Sequence, residues 1–424
     1  MRTDSVMTAA AVPFGDIPLR RVLERAGYAL FTLLVFLTPV QIVRPSPYDL
    51  VAVLTIGLWG IVGLRFHRAA IAFVALLLIH NMSLVASLLG HADDQESIVW
   101  TFQSLYLMLT AFFFCLFLGE KTERRVDLAL DAYVASCAVA SVLGIYTYFQ
   151  GPFYPSEYAG RAMGPFADPN VFGAFMVLGV FRLAHRLFTG RTRRPLVTTA
   201  LLGLVVAGLF LSFSRGAWLA TALGGSLMTF FILATYDERV RRRIVGLVVI
   251  GMAGTGILVA GLLSSDLVAD RFSDRVHLTK EYDEGEMGRF GNQRRSIPML
   301  LDHPEGLGPL RFRNYFGFEP HNSYLGGLAN GGWIGGISFL ALALTTIFVG
   351  LRLCWLPSPV RRHAQVVAPA MLMTFLQALQ IDIDHWRHIY LQLGLVWGLE
   401  CGRVHWASLG ARWSSFRERG GRPT

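Results

Sequence analysis

The sequence predicts an all-α protein that spans a membrane about twelve times. Hydrophobic residues make up 53% of its 424 residues and charged residues only 16%, and the mean hydropathy is +0.47. Runs of about twenty mostly apolar residues, the length that a helix needs to cross a bilayer, recur along most of the chain. Few protein classes other than polytopic membrane proteins combine these properties.

The apolar runs divide the chain into five parts. We expect a cytoplasmic N-terminal segment, nine spans, a long extracytoplasmic loop, three further spans and a basic cytoplasmic tail. These parts cover residues 1–26, 27–264, 265–329, 330–402 and 403–424. Arg20, Arg21 and Arg25 precede the first apolar run, which continues without a small-residue cleavage site, so the first span is expected to remain as an anchor.

The distribution of basic residues predicts the orientation. With the N-terminus inside, most of the 38 lysines and arginines fall on the cytoplasmic side, as the positive-inside rule requires. The short connections on the other side hold at most one arginine each, namely Arg44, Arg161, Arg215 and Arg387. The net charge of +9 therefore reflects orientation, and no nucleic acid is expected as a partner. The four cysteines show neither metal nor CxxC spacing, and no cofactor is predicted.

The stretch SFSRGAWLA places Arg215 between two apolar runs. An arginine at the centre of a bilayer is costly, so we expect it in a tight turn at the outer surface, with Ser214 capping the next helix. Arg215 either snorkels to the interface beside Trp218 or binds an anionic ligand.

The stretch RAMGPFADPNVFGAF precedes the sixth span. Asp168 followed by Pro169 is typical of a helix start, with aspartate as the N-cap and proline at the first helical position, so Asp168 is interpreted as structural. Arg161 is the better candidate for a functional residue in this loop.

The long loop contains GRFGNQRRSIPMLLDHPEGLGP, with Arg289, Arg294 and Arg295. A charged surface helix would explain them. However, only Lys121 and Lys280 are lysines among the 38 basic residues. Because arginine binds phosphate oxygens through two parallel hydrogen bonds, where lysine offers a point charge, this bias favours a phosphate-bearing ligand.

The stretch PHNSYLGGLANGGWIGG opens the tenth span. His321 stands just before the predicted helix start, where Asn322 or Ser323 can act as the cap. It is either a solvated loop histidine or a general base, since its free pKa lies nearest to neutral.

The stretch QIDIDHWRHIY brings together Asp382, Asp384, His385, Arg387 and His388. His385 and His388 share a helical face, but no third ligand follows at a defined spacing. We therefore expect this cluster to support a neighbouring site by salt bridges and hydrogen bonds rather than to bind a metal.

Together, the motifs SFSRGAW, GPFADPNVFGAF, GRF with LLDHPEGLGP, and HNSYLGGLANGGWIGG resemble those of the O-antigen ligase and polysaccharide polymerase superfamily of bacterial inner-membrane proteins. The matching stretches run from about Gly164 to Gly336. The resemblance implies a metal-independent glycosyltransferase of the type C class. Such an enzyme takes a glycan from undecaprenyl diphosphate at the periplasmic face and moves it to an acceptor hydroxyl, with inversion.

The resemblance also implies residue roles. Arg215 and Arg289 correspond to arginines that bind the diphosphate and stabilise the leaving group, and His321 corresponds to a general base. Many relatives have a tryptophan four residues after the loop arginine, where this chain has Gln293. Further substrate contacts are expected from Arg161, Asn322, Tyr324 and Arg387.

The expected substrates are a lipid-linked glycan donor and an acceptor, which is either a lipid-linked repeat or lipid A core. A polymerase is preferred to a ligase because RPSPYD and DIDHWRHIYLQLGLVWGL are similar to exopolysaccharide-production relatives. A flippase and a chain-length regulator are expected partners. A transporter or flippase of lipid-linked glycans is the alternative from another class, disfavoured by scarce mid-membrane charges and the lack of an inverted repeat. A structural subunit of a secretion complex would leave the motifs unexplained.

Overall fold

The computed structural model describes residues 17–41, 45–153, 156–158, 160–276 and 288–418. Within these ranges the regular structure is helical, without a β-strand. The helices are α1 (Ile17–Phe36), α2 (Pro47–Val62), α3 (Ile71–Leu88), α4 (Gln95–Gly119), α5 (Thr122–Gln150), α6 (Pro169–Phe188), α7 (Pro195–Leu211), α8 (Arg215–Thr235), α9 (Glu238–Leu263), α10 (Asp266–Val276), α11 (Arg289–Asp302), α12 (Phe312–Phe316), α13 (Ser323–Trp355), α14 (Arg361–Gln377) and α15 (Arg387–Glu418). Arg44 and Lys280 lie outside the described residues.

Among the described residues, seven helices are long and apolar enough to cross a membrane. They are α3 with its flanking turns, α4, α5, α6, α8, α9 and α13, while α2 and α7 are shorter apolar helices. Each of the twelve apolar runs predicted from the sequence overlaps a helix, α1 to α9 or α13 to α15. The polytopic helical fold is therefore confirmed, whereas the number of twelve spans and their orientation stay predictions.

Helices extend beyond the predicted apolar runs at several places, and α1 begins at Ile17, within the predicted N-terminal segment. α13 begins at Ser323, within the segment predicted as the long loop, because its capped and glycine-rich first turns are helical without being strongly apolar. α15 continues to Glu418, through most of the predicted basic tail. Apolar windows mark the length that fits a bilayer, and helix ends are determined by capping.

α6 lies at the centre of one half of the bundle. Its Phe172, Phe175 and Phe181 are buried, and it packs against α5, α7, α8 and α14. In the other half, α15 runs along α4, and α13 runs along α3. Gly394 lets α15 approach α4 closely, since a Cβ at that position would lie 2.3 Å from Cβ of Phe114. At one end of the bundle the start of α6 lies against the start of α8, and α13 contacts both α8 and α11. We call this end the site end.

α13 is interrupted at Gly332, where φ is 65° and ψ is −163°. The amide of Trp333 donates to the carbonyl of Pro304 at 3.0 Å instead of to its helical acceptor. That acceptor, the carbonyl of Ala329, receives the amide of Leu307 at 2.7 Å. The DHPEGLGP motif therefore supplies the hydrogen bonds that the break in α13 removes, as buried backbone groups require. Two motifs that are separate in the sequence form one backbone joint.

Gly332→Ala is expected to destabilise the folded protein by on the order of 2–3 kcal/mol. A Cβ there would lie 2.2 Å from the carbonyl oxygen of Pro304, in a left-handed backbone conformation. Gly254→Ala in α9 is the matched control, because no atom lies within 4 Å of the added Cβ. Thermal unfolding of the purified variants measures the difference. Equal melting temperatures would contradict the proposed joint.

Candidate active site

Arg215 is the first residue of α8, at the site end. Ser214 is the N-cap of this helix, as predicted. Phe213 before it has φ 48°, a left-handed conformation that is rare for a bulky side chain. The carbonyl of Gly216 accepts a hydrogen bond of 2.9 Å from Nε2 of Gln377, at the end of α14. The backbone that carries Arg215 is therefore fixed against the end of α14.

Arg161 is buried and joins two loops. Its Nε donates to the carbonyl of Ser212 at 2.8 Å, and its Nη2 donates to Oδ1 of Asn170 at 2.9 Å. Asp168 caps α6 with Pro169 as the first helical residue, so its structural interpretation is confirmed. Because the guanidinium of Arg161 connects the turn before α8 with the start of α6, its geometry favours positioning over direct contact with a substrate.

Arg289 is the first residue of α11 and reaches the segment after α14. Its Nη1 donates to the carbonyl of Gln380 at 3.2 Å. Gln293, one turn later in α11, donates through Nε2 to the carbonyls of Pro320 at 2.9 Å and His321 at 3.3 Å. The residue at which this chain departs from many relatives therefore holds the segment that carries His321.

The backbone of His321 is hydrogen-bonded to Asp382, and its imidazole lies beside the same carboxylate. The amides of His321 and Asn322 donate to Oδ2 and Oδ1 of Asp382 at 3.1 and 3.0 Å. Nδ1 of His321 lies 3.3 Å from Oδ2, and 46% of the imidazole side chain is exposed. A carboxylate at this distance favours the tautomer with its proton on Nδ1, which leaves Nε2 to accept a proton.

Asn322 and Tyr324, both predicted to bind substrate, have structural partners. Asn322 is the N-cap of α13, and its Nδ2 donates to the carbonyl of Leu379 at 3.2 Å. The hydroxyl of Tyr324 donates to the carbonyl of Phe375 at 3.0 Å, where α13 packs against α14. Both side chains fasten the start of α13 to the end of α14.

Residues 377–384 contact the starts of α8, α11 and α13. We call this segment the hub turn. It binds the start of α8 through Gln377, the start of α11 through the carbonyl of Gln380 and the start of α13 through Asp382. The sequence predicted support from the Asp382 cluster, but it did not single out Gln377 or Gln380. The sequence signal for Gln377 is an amide side chain at the end of the apolar second half of α14. The contact at Gln380 is made by its backbone carbonyl, so it leaves no signal in the sequence.

The histidines of the same cluster have separate surroundings. Nε2 of His385 lies 3.2 Å from the carbonyl of Trp100, whereas the ring of His388 packs against those of Phe175 and Trp386. Across the described part of the chain, no group of three or more His, Cys, Asp or Glu side chains is arranged to hold a metal ion.

Acidic groups near His321 bind protons more tightly than usual. Burial, reinforced by repulsion from Asp382, raises the pKa of Glu319 to about 7. Burial also raises the pKa of Asp168, despite the opposing influence of Arg161. Partial protonation of Glu319 at neutral pH reduces the negative charge at the site end, which favours the binding of an anion.

The similarity to known proteins covers the segments that carry Arg215, Arg289 and His321. Residues 199–340 match the O-antigen ligase family. Over these residues the match supports the superfamily predicted from the motifs, and with it a membrane glycan transferase of the ligase or polymerase type. No curated protein matches the chain. The O-antigen ligase region extends from α7 into α13, and Arg161 and Asp382 lie outside it.

Arg387, also outside the O-antigen ligase region, is engaged in a largely buried ion pair. Its Nη2 donates to both carboxylate oxygens of Asp49 at 2.9 and 3.0 Å, and its Nη1 donates to the carbonyl of Val40 at 2.8 Å. Only 10% of its side chain is exposed. These bonds hold the start of α15 on the start of α2, so the geometry gives no support to direct substrate binding by Arg387.

Arg387→Ala is expected to destabilise the folded protein by on the order of 3 kcal/mol, because it leaves the Asp49 carboxylate without its partner. Arg186→Ala is the matched control. Arg186 pairs with Asp131, which is 46% exposed, and this loss should cost less than about 1 kcal/mol. Thermal unfolding compares the two. Wild-type stability of Arg387→Ala together with a raised KM for substrate would instead favour direct binding.

Proposed function

We propose that the protein moves an oligosaccharide or polysaccharide from undecaprenyl diphosphate to an acceptor sugar hydroxyl at the periplasmic face of the bacterial inner membrane. The preferred reaction is polymerisation of exopolysaccharide or O-antigen repeat units, with transfer to lipid A core as the alternative. One observation carries the proposal: Arg215, Arg289 and His321 lie at the starts of three helices held by one hub turn. The O-antigen ligase match supports the broader class.

The two arginines are suited to stabilise the leaving group, which is undecaprenyl diphosphate. When the bond between the anomeric carbon and the diphosphate oxygen breaks, its electron pair stays on the diphosphate, which gains negative charge. The planar guanidinium groups of Arg215 and Arg289 can each donate two parallel hydrogen bonds to phosphate oxygens. Both are the first residues of helices, where the backbone adds partial positive charge. These contributions favour departure of undecaprenyl diphosphate.

His321 is suited to activate the nucleophile, which is the acceptor hydroxyl. Nε2 would accept the proton of the acceptor hydroxyl while that oxygen forms the bond to the anomeric carbon. Asp382, held at Nδ1, would stabilise the imidazolium that results. Attack on the face opposite the departing diphosphate inverts the anomeric configuration. The proposed reaction uses neither a nucleotide sugar nor a metal ion.

The remaining predicted ligands are proposed to act through these groups. Arg161 would position the turn that carries Arg215, and Asn322 would position the start of α13. A flippase that delivers the donor and a regulator of chain length are proposed partners in the membrane.

Defined substrates distinguish the preferred reaction from its alternative. The purified protein would be given lipid-linked repeat units with and without lipid A core. Chain growth without core is the expected result and identifies a polymerase. Product formed only on core would identify a ligase, and intact donor in both mixtures would contradict glycan transfer.

A further inference from the structure

A cavity of about 30 Å³ lies beside the hub turn, between α3, α4, α13 and α15. This is room for one small ion or for one or two water molecules. Its lining combines apolar side chains with polar ones, among them His80, Asn81, Ser104, Ser323, Asp384 and Tyr390. Ser323 begins α13 and Asp384 ends the hub turn, so the cavity adjoins the proposed active site.

A carboxylate lines this cavity without a cationic partner. None of the ion pairs between described residues includes Asp384, and the neighbouring His321 lies beside Asp382 instead. Burial, with repulsion from Asp382, raises the pKa of Asp384 above its ordinary value, although a hydrogen bond from Ser323 acts in the opposite direction. A carboxylate in such a place is normally neutralised by a proton, a basic side chain or a bound cation. Asp384, as an ionisable group inside a helical membrane bundle, therefore requires a group or ion that neutralises its charge.

A second side chain of the cavity wall presents an unused acceptor. Asn81 is 3% exposed, and its Nδ2 donates to the carbonyl of Leu77 at 2.9 Å. Its Oδ1 is buried and has no hydrogen-bond partner among the residues that the structure describes. An unsatisfied buried oxygen is costly, so it requires a donor or a cation.

The neighbouring histidine adds another acceptor. Nδ1 of His80 lies 3.0 Å from the carbonyl of Gly335. Because a carbonyl only accepts, Nδ1 carries the proton and Nε2 has the free lone pair. The polar lining therefore offers acceptors in addition to the Asp384 carboxylate.

We propose that this cavity binds one Na⁺ ion, coordinated by the carboxylate of Asp384 and the amide oxygen of Asn81. Carboxylate and amide oxygens are hard ligands, which suit a hard cation. A transition metal is a poor fit, because the described residues offer no cluster of three His, Cys, Asp or Glu side chains.

The bound ion would stabilise the hub turn. Asp384 ends this turn, and Asp382, two residues earlier, holds His321. The ion would not touch the reacting atoms, and the proposal is independent of whether the chain transfers glycans.

The experiment compares thermal unfolding of the purified full chain in NaCl, KCl and choline chloride at equal ionic strength. We expect Na⁺ to raise the melting temperature in a saturable manner relative to choline. Asp384→Asn should weaken the Na⁺ dependence at least tenfold. Asn81→Leu, which keeps the side-chain volume and removes the oxygen, should weaken it as well, and it serves as the test if Asp384→Asn does not fold.

Asp382→Asn is the control for the neighbouring carboxylate, and it should keep the Na⁺-dependent shift even though it impairs transfer. Binding of ²²Na⁺ should reach one ion per wild-type chain and fall in Asp384→Asn. Identical melting temperatures in the three salts would overturn the proposal, and so would undiminished Na⁺ binding by both variants. Either result would mean that a proton neutralises Asp384.

Discussion

His321→Asn is expected to reduce the turnover of glycan transfer by about 10²- to 10⁴-fold, the contribution typical of a general base. Asparagine accepts no proton near neutral pH, yet it tolerates the left-handed backbone at this position, where φ is 46°. The imidazole is 46% exposed, so the variant should fold normally. Turnover and KM with a defined lipid-linked substrate provide the measurement. A loss confined to KM would contradict the assignment as a base.

A double-mutant cycle with Asp382 tests whether this carboxylate acts through His321. Asp382→Asn alone should lower turnover, because the amide cannot stabilise the imidazolium as a carboxylate does. The double variant should lose no more than His321→Asn alone, since residues that act as a unit are not additive. Losses that multiply would mean that Asp382 acts separately, for example by contact with the substrate.

Arg215→Lys and Arg289→Lys are each expected to reduce turnover by about 10²- to 10³-fold, comparable with the removal of one preorganised donor from an anion site. Lysine keeps the positive charge but lacks the planar fork that donates two parallel hydrogen bonds to phosphate. The loss should therefore appear in turnover more than in KM. Initial rates of undecaprenyl diphosphate release by each variant are the measurement.

Arg294→Lys is the matched control for these two variants. Arg294 lies on α11 with Arg289, but its side chain is exposed. It should transfer glycan at nearly the wild-type rate. If Arg294→Lys lost as much activity as Arg289→Lys, the loss would be explained by a general effect of charge on α11 and not by the proposed diphosphate contact.

Local sequence patterns predicted the fold class and the caps of α6 and α8 well. Apolar runs of bilayer length indicated the helices, and the Asp168–Pro169 and Ser214 caps depend on interactions within one helical turn. Asn322, rather than Ser323, caps α13. These features are accessible because their physical causes lie within a few residues of one another.

The hub turn could not be predicted because it depends on contacts between distant segments. The side chain of Gln377 donates to the carbonyl of Gly216, and the guanidinium of Arg289 donates to the carbonyl of Gln380. The partners in each bond are far apart in the sequence and meet only because the helices pack together. The same reason explains Arg161 and Arg387. A sequence reveals a lone arginine in a short connection, but it does not reveal whether the guanidinium group faces a ligand or a carbonyl of the protein itself.

The most direct test is transfer by the purified protein from a synthetic undecaprenyl diphosphate oligosaccharide with all metal ions chelated. We predict a longer glycan with inverted configuration at the new linkage, and one undecaprenyl diphosphate released for each bond formed. The account would be contradicted if the donor stayed intact in the presence of a suitable acceptor. It would also be contradicted if the protein moved the intact lipid across a liposome membrane without cleaving a bond.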